Sequence, residues 1–184
     1  MKNLRRSALS FALTLALLVP IPILVSSQDL DGPDHVFHDA LLDHLAGNWT
    51  LAGKVVGRPV DQTVDADWVL NHQFLRIHEQ DTNPSKNGTV PCEAIIMVGF
   101  DNTSERYVAH WTDVYGGRFS ETLGFGTRVG DEIRFVFEYP DGPFHTTFRW
   151  LPDSHQWKWL LQSKHKSRQW TNFADMTLSR ATRP

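Results

Sequence analysis

Tyr107, Trp111 and Asp113 stand four and two residues apart in one apolar-alternating segment. On a strand that spacing puts all three on one face. If the face is the inside of a barrel, the Asp113 carboxylate is partly desolvated, the setting that a general acid or base requires. Tyr107 would then work beside it, and Trp111 would shape the pocket. The plainer use of Asp113 is to end a strand and accept bonds from turn amides. His110 is three residues from Asp113 and so points to the other face of a regular strand.

Other reactive residue types are sparse. His35, His38 and Asp39 recur at helical spacing with His44 nearby, and such a set could hold zinc. A solvated helix face is the simpler use of the same residues. The histidine best placed to ligate a haem is His165, which falls in the basic loop 164–168. Neither a metal nor a cofactor is expected. Cys92 opens an apolar segment, where a free thiol packs as a small hydrophobe. As the single cysteine it excludes an intramolecular disulfide. No serine-nucleophile elbow, paired-cysteine motif, zinc-protease motif or phosphate-cradling glycine loop is present.

Short strands must position these residues. Segments of alternating apolarity follow one another from Trp49 almost to the C-terminus, each ended by turn residues. They fall at 49–56, 63–79, 92–100, 106–114, 118–125, 132–139, 144–151, 156–163 and 170–180. A change of parity at Asn71-His72-Gln73 predicts a bulge within the long second segment. The near-continuous apolar run 92–100 predicts cover on both faces. Phe144, Thr146, Phe148 and Trp150 share a face that belongs inside, and Arg149 then points out. No helix of crossover length separates the segments, so antiparallel up-and-down pairing follows. The fold predicted is an all-β, up-and-down antiparallel barrel of about nine or ten strands, with one short helix at about 34–45.

The first 27 residues read as a secretory signal: Lys2, Arg5 and Arg6, an apolar run to Val25, then Ser26-Ser27 before Gln28. Residues 28–184 make a single domain, expected to be exported to the periplasm or beyond, with no integral membrane segment after cleavage. The formal charge of −3 gives no reason to expect a nucleic-acid partner. Nothing in the sequence sets an oligomeric state. Asn48, Asn87 and Asn102 begin glycosylation acceptor triplets, which matter only in a glycosylating host.

Gly47-Asn48-Trp49 resembles the Gly-x-Trp entry of lipocalins and other calycins. That resemblance implies an arginine near the end of the last strand covering the tryptophan, and Arg180 is the matching position. A wider likeness spans nearly the whole mature chain. It runs through Leu45-Ala46-Gly47-Asn48-Trp49, Trp68-Val69-Leu70, Phe74-Leu75-Arg76, Gly99-Phe100-Asp101-Asn102 with Tyr107, Trp111 and Asp113, Glu138-Tyr139-Pro140-Asp141 and Thr177-Leu178-Ser179-Arg180. In these pieces the chain is similar to the lipocalin-like bacterial domain-of-unknown-function family 1579. The resemblance implies the fold and assigns no activity.

A barrel of this size has room for one small ligand. Seven tryptophans make an apolar or aromatic molecule the expected occupant. Trp68, Tyr107, Trp111, Asp113, Phe148, Trp150 and Trp159 are the expected ligand-lining residues, and Trp49 with Arg180 the barrel closure. Two alternatives remain at this level: a barrel enzyme using Asp113 and Tyr107, and an interaction module whose core is filled.

Overall fold

The structure is a computed structural model and describes residues 32, 34–82, 91–164 and 169–182. The signal segment, the Asn87 triplet and His165 lie outside these residues.

Ten antiparallel strands close into one barrel in sequential order, the last pairing with the first. They are β1 (Gly47–Val55), β2 (Arg58–Val69), β3 (Phe74–Asp81), β4 (Glu93–Asp101) and β5 (Arg106–Asp113), then β6 (Gly124–Val129), β7 (Glu132–Tyr139), β8 (Gly142–Leu151), β9 (Gln156–Ser163) and β10 (Thr171–Arg180). Period-two alternation drives the arrangement. Along β7, Ile133, Phe135 and Phe137 are buried while Arg134 and Glu138 are exposed. The inward residues form one continuous core.

A single short helix, α1 (Ala40–Leu45), packs Leu41, Leu42 and Leu45 onto the end of the barrel where β1 begins. The helix was expected from about residue 34. Asp39 sets the later start: its carboxylate accepts the Leu41 and Leu42 amides at 2.8 and 3.0 Å, which makes it the N-cap. Residues 35–39 are non-helical, yet Phe37 still packs on Trp68 and Phe100 with centroids 5.7 Å away in each case.

Three further expectations are corrected. The predicted bulge at 71–73 is a hairpin turn that divides the long segment into β2 and β3. Leu70, Asn71 and His72 hold φ of 52°, 55° and 62°, and three left-handed residues in a row reverse the chain. The run 92–100 is not covered on both faces: along β4, Ala94, Ile96 and Val98 are buried and Glu93 and Ile95 are exposed. The segment 118–125 is mostly a connection. A 3-10 turn at Gly117–Phe119 precedes β6, which starts only at Gly124. Within β6 only glycine fits at 124 and 126, since a Cβ on either would lie within 2.7 Å of the Phe137 or Phe135 ring. Those inward rings take the space that side chains on β6 would fill.

Closure is made by Trp49 and Arg180, which are cross-strand partners in the β1–β10 pair. The guanidinium lies 3.9 Å from the centre of the buried Trp49 ring. Its two terminal nitrogens donate to the Ala46 and His44 carbonyls at 2.9 and 3.1 Å. Trp49 Nε1 donates to the Leu45 carbonyl at 2.7 Å. The last carbonyls of α1, which the helix itself leaves unpaired, are thus used to fasten it.

Candidate functional site

The two ends of the barrel differ in chemistry. At the helix end the polar groups are paired. Asp39 accepts the two helix amides, the Tyr107 hydroxyl and, at 3.2 Å, Arg128 from β6. Burial, then the bond to Asp39, pushes the Tyr107 hydroxyl up to about 12. Trp68 donates to Asp43 at 3.0 Å and stacks on His72 at 4.0 Å. Trp150 stacks on His44 at 4.8 Å. Two hollows of about 370 and 290 Å³ flank this end, one beside Phe37, Asp39 and Tyr107, the other beside Glu132, Arg149 and Trp150. Two of their acids have cationic partners: Asp39 binds Arg128, and Glu132 binds Arg134 and Arg149.

The far end is built differently. Its inward positions carry Gln62 on β2, Glu79 and Asp81 on β3, Asp113 on β5, Tyr139 on β7 and Thr146 on β8. Strand register assembles the acids. Glu79 pairs with Ala94, which pairs with Asp113. Gln62 pairs with Asp81, and its Nε2 donates to Asp81 Oδ1 at 2.9 Å. The second Asp81 oxygen accepts the Cys92 amide at 2.6 Å. Asp113 accepts Trp111 Nε1 at 3.1 Å and the turn amide of Tyr115 at 2.9 Å. It therefore faces inward and holds a turn at the same time.

Glu79 is 5% exposed. Burial, then the neighbouring Asp81, raises its pKa to about 7; Gln62 opposes the rise through a hydrogen bond, and Asp113 adds to it. Burial and the same three acids push the Cys92 thiol up to about 11, so at neutral pH it is neither a nucleophile nor a metal-ready thiolate. Burial and Asp113 push the Tyr139 hydroxyl up to about 12.

Aromatic rings floor the cluster. Trp111 meets Trp159 at 5.8 Å, and Trp159 stacks on Phe148 at 4.8 Å. Three buried polar atoms on this inner wall have no partner among the described residues: Gln62 Oε1, Thr146 Oγ1 and Trp159 Nε1. Each such atom costs about 1–3 kcal/mol if nothing pairs it.

Two comparisons give no match: no family model matches the chain, and no curated protein does. Among solved structures it is similar to the crystal structure of Rv2717c from M. tuberculosis, at 15% identity and a TM-score of 0.49. That likeness covers 79% of this chain and 100% of the other.

The structure divides the residues expected to line a ligand. Trp68, Tyr107 and Trp150 lie under the helix, Phe148 and Trp159 at mid-depth, and Trp111 with Asp113 at the far end. Tyr107 and Asp113 share a face but stand at opposite ends of β5, about 20 Å apart at ~3.3 Å per residue. They cannot act on one bond together. The group that does accompany Asp113 is Glu79, which sequence reasoning missed. A signal was present, since Leu75, Ile77, Glu79 and Asp81 alternate onto the apolar face. His110 is exposed and bonds the Ser120 carbonyl, as its parity required. The His and Asp residues of the entry segment do not converge: Asp39 caps α1, His38 stands over His72, and His44 stacks on Trp150. No helix among the described residues is long and apolar enough to cross a membrane.

Proposed function

We propose that this protein is an exported lipocalin-like barrel, akin to family 1579, that holds one small, largely apolar or aromatic molecule in the half of its lumen away from α1. The observation that carries the reading is the trio of unpartnered buried atoms, Gln62 Oε1, Thr146 Oγ1 and Trp159 Nε1, on an inner wall of aromatic rings that also carries Glu79, Asp81 and Asp113. Buried polar groups in folded proteins are nearly always paired, so orphans facing a lumen mark where another molecule belongs. Among the described residues the helix end supplies no such set of unpartnered buried atoms. The test is solvent extraction of freshly purified protein followed by mass spectrometry, with titration of an environment-sensitive apolar dye. Near-stoichiometric recovery of one compound, or saturable dye uptake that Trp159→Ala weakens, supports the reading. Recovery of no bound compound, together with no dye uptake, would overturn it.

One observation favours a second reading, in which the same site carries out acid–base chemistry. Glu79 and Asp113 lie one strand apart on the inner face, and burial raises the Glu79 pKa to about 7, where a proton-transfer group is most effective. Asp113 then works beside Glu79 rather than beside Tyr107. Turnover of the extracted compound by the wild type and its loss in Glu79→Gln would establish this reading; an unchanged compound after prolonged incubation would remove it.

A further inference from the structure

We infer that the occupant of the far half is a cation, a small amine whose ammonium lies among Glu79, Asp81 and Asp113 and whose apolar body rests on Trp111 and Trp159. This rests on the binding reading above and adds the charge class of the ligand.

Among the described residues the cluster is one-signed. None of the three acids forms an ion pair among the described residues. Asp81 is held by an amide side chain and a backbone amide, Asp113 by an indole and a backbone amide, all of them neutral donors. Crowding carboxylates in a desolvated site costs free energy unless a proton or a cation compensates.

Gln62 is an independent pointer. It is 2% exposed, its Nε2 is committed to Asp81, and its Oε1 has no partner. A buried carbonyl oxygen beside carboxylates is one more acceptor awaiting a donor. An ammonium supplies three N–H donors and a positive charge, which serve both needs at once. Trp111 and Trp159, tilted at 52° to each other, offer ring faces that attract the same charge.

The groups facing Glu79 decide how binding responds to pH. They are Asp81 on its own strand, Cys92 ahead of β4, Asp113 on β5 and, beyond Asp113, Tyr139 on β7. Cys92 and Tyr139 are neutral throughout the physiological range. Glu79 carries its proton below about pH 7. A cation must displace that proton, so affinity rises as pH increases from 6 to 8.

Isothermal titration of the purified protein with three indoles of one shape tests the inference: tryptamine, neutral tryptophol and anionic indole-3-propionate. At pH 8 tryptamine is expected to bind about tenfold or more tightly than tryptophol, with the propionate weaker still. Its affinity should fall at pH 6, and Glu79→Gln should shrink the preference several-fold and abolish the pH dependence. Should Glu79→Gln not fold, Asp113→Asn and the wild-type pH series carry the same test. Tryptophol or the propionate binding as tightly as tryptamine overturns the charge assignment and leaves lumen binding intact. No binding of any of the three overturns the charge assignment, and the dye titration above then decides separately on the lumen.

Discussion

Glu79 and Asp113 face the same interior space across β4, with only the methyl group of Ala94 in the row between them. Two acids so placed make folding sensitive to protons.

Stability should fall as pH rises from about 5 to 7. In the unfolded chain Glu79 ionises near the ordinary glutamate value of 4.5, whereas in the folded barrel burial keeps it protonated to about 7. Between those values the folded state binds the extra proton, so raising the pH favours unfolding. The effect is on the order of 3 kcal/mol and is complete above pH 7. Urea unfolding at pH 5 and pH 8 measures it. Glu79→Gln should flatten the slope and be the more stable protein at pH 8; an unchanged slope would show that Glu79 is ionised inside the barrel.

Arg180→Ala should destabilise the barrel by about 2 kcal/mol, combining a ring contact of ~0.5–2 kcal/mol with two lost carbonyl bonds. Arg180→Lys should recover less than half of this, because an ammonium cannot lie flat on Trp49 while reaching both the Ala46 and His44 carbonyls. Denaturation midpoints of the three proteins give the comparison.

Tyr107→Phe should cost about 1 kcal/mol through the lost bond to Asp39 and leave dye or amine binding in the far half unaltered. Trp111→Ala should do the reverse at the site, weakening binding several-fold. Equal loss of binding in both variants would place the occupied space at the helix end instead.

Gly53→Ala should be worse than Gly124→Ala. A Cβ on Gly53 would lie 2.3 Å from the Asp175 carbonyl oxygen, so the backbone of the β1–β10 seam must part. On Gly124 it would meet the Phe137 ring at 2.5 Å, and a ring can turn aside. Overpacking of this kind costs about 1–3 kcal/mol, and thermal melts should rank the two variants in that order.

What could be read from the sequence was local. Alternation along residues 132–139 and 144–151 placed Phe135, Phe137, Phe148 and Trp150 inside and Arg149 outside, where it binds Glu132. The hairpin at Leu70-Asn71-His72 was illegible because none of these residues is glycine, although all three adopt left-handed backbone. The site was half legible. Parity put Asp113 and Trp111 on the inner face. The row joining Glu79 to Asp113 depends on the register of three strands, and pairing between strands leaves no mark on any single segment. The separation of Tyr107 from Asp113 could be counted along β5, but the different character of the two barrel ends arises only when α1 covers one of them.

The β1–β10 seam also fixes an order of events. The first strand to leave the ribosome is mated with the last, so Trp49 has no ring cover and β1 no second neighbour until all the other strands have been made. Contacts so remote in sequence form late and slowly. Until then the growing chain carries a bare edge at its oldest strand, where a stray extended peptide can pair. A chaperone held on β1 would keep that edge from finding the wrong partner.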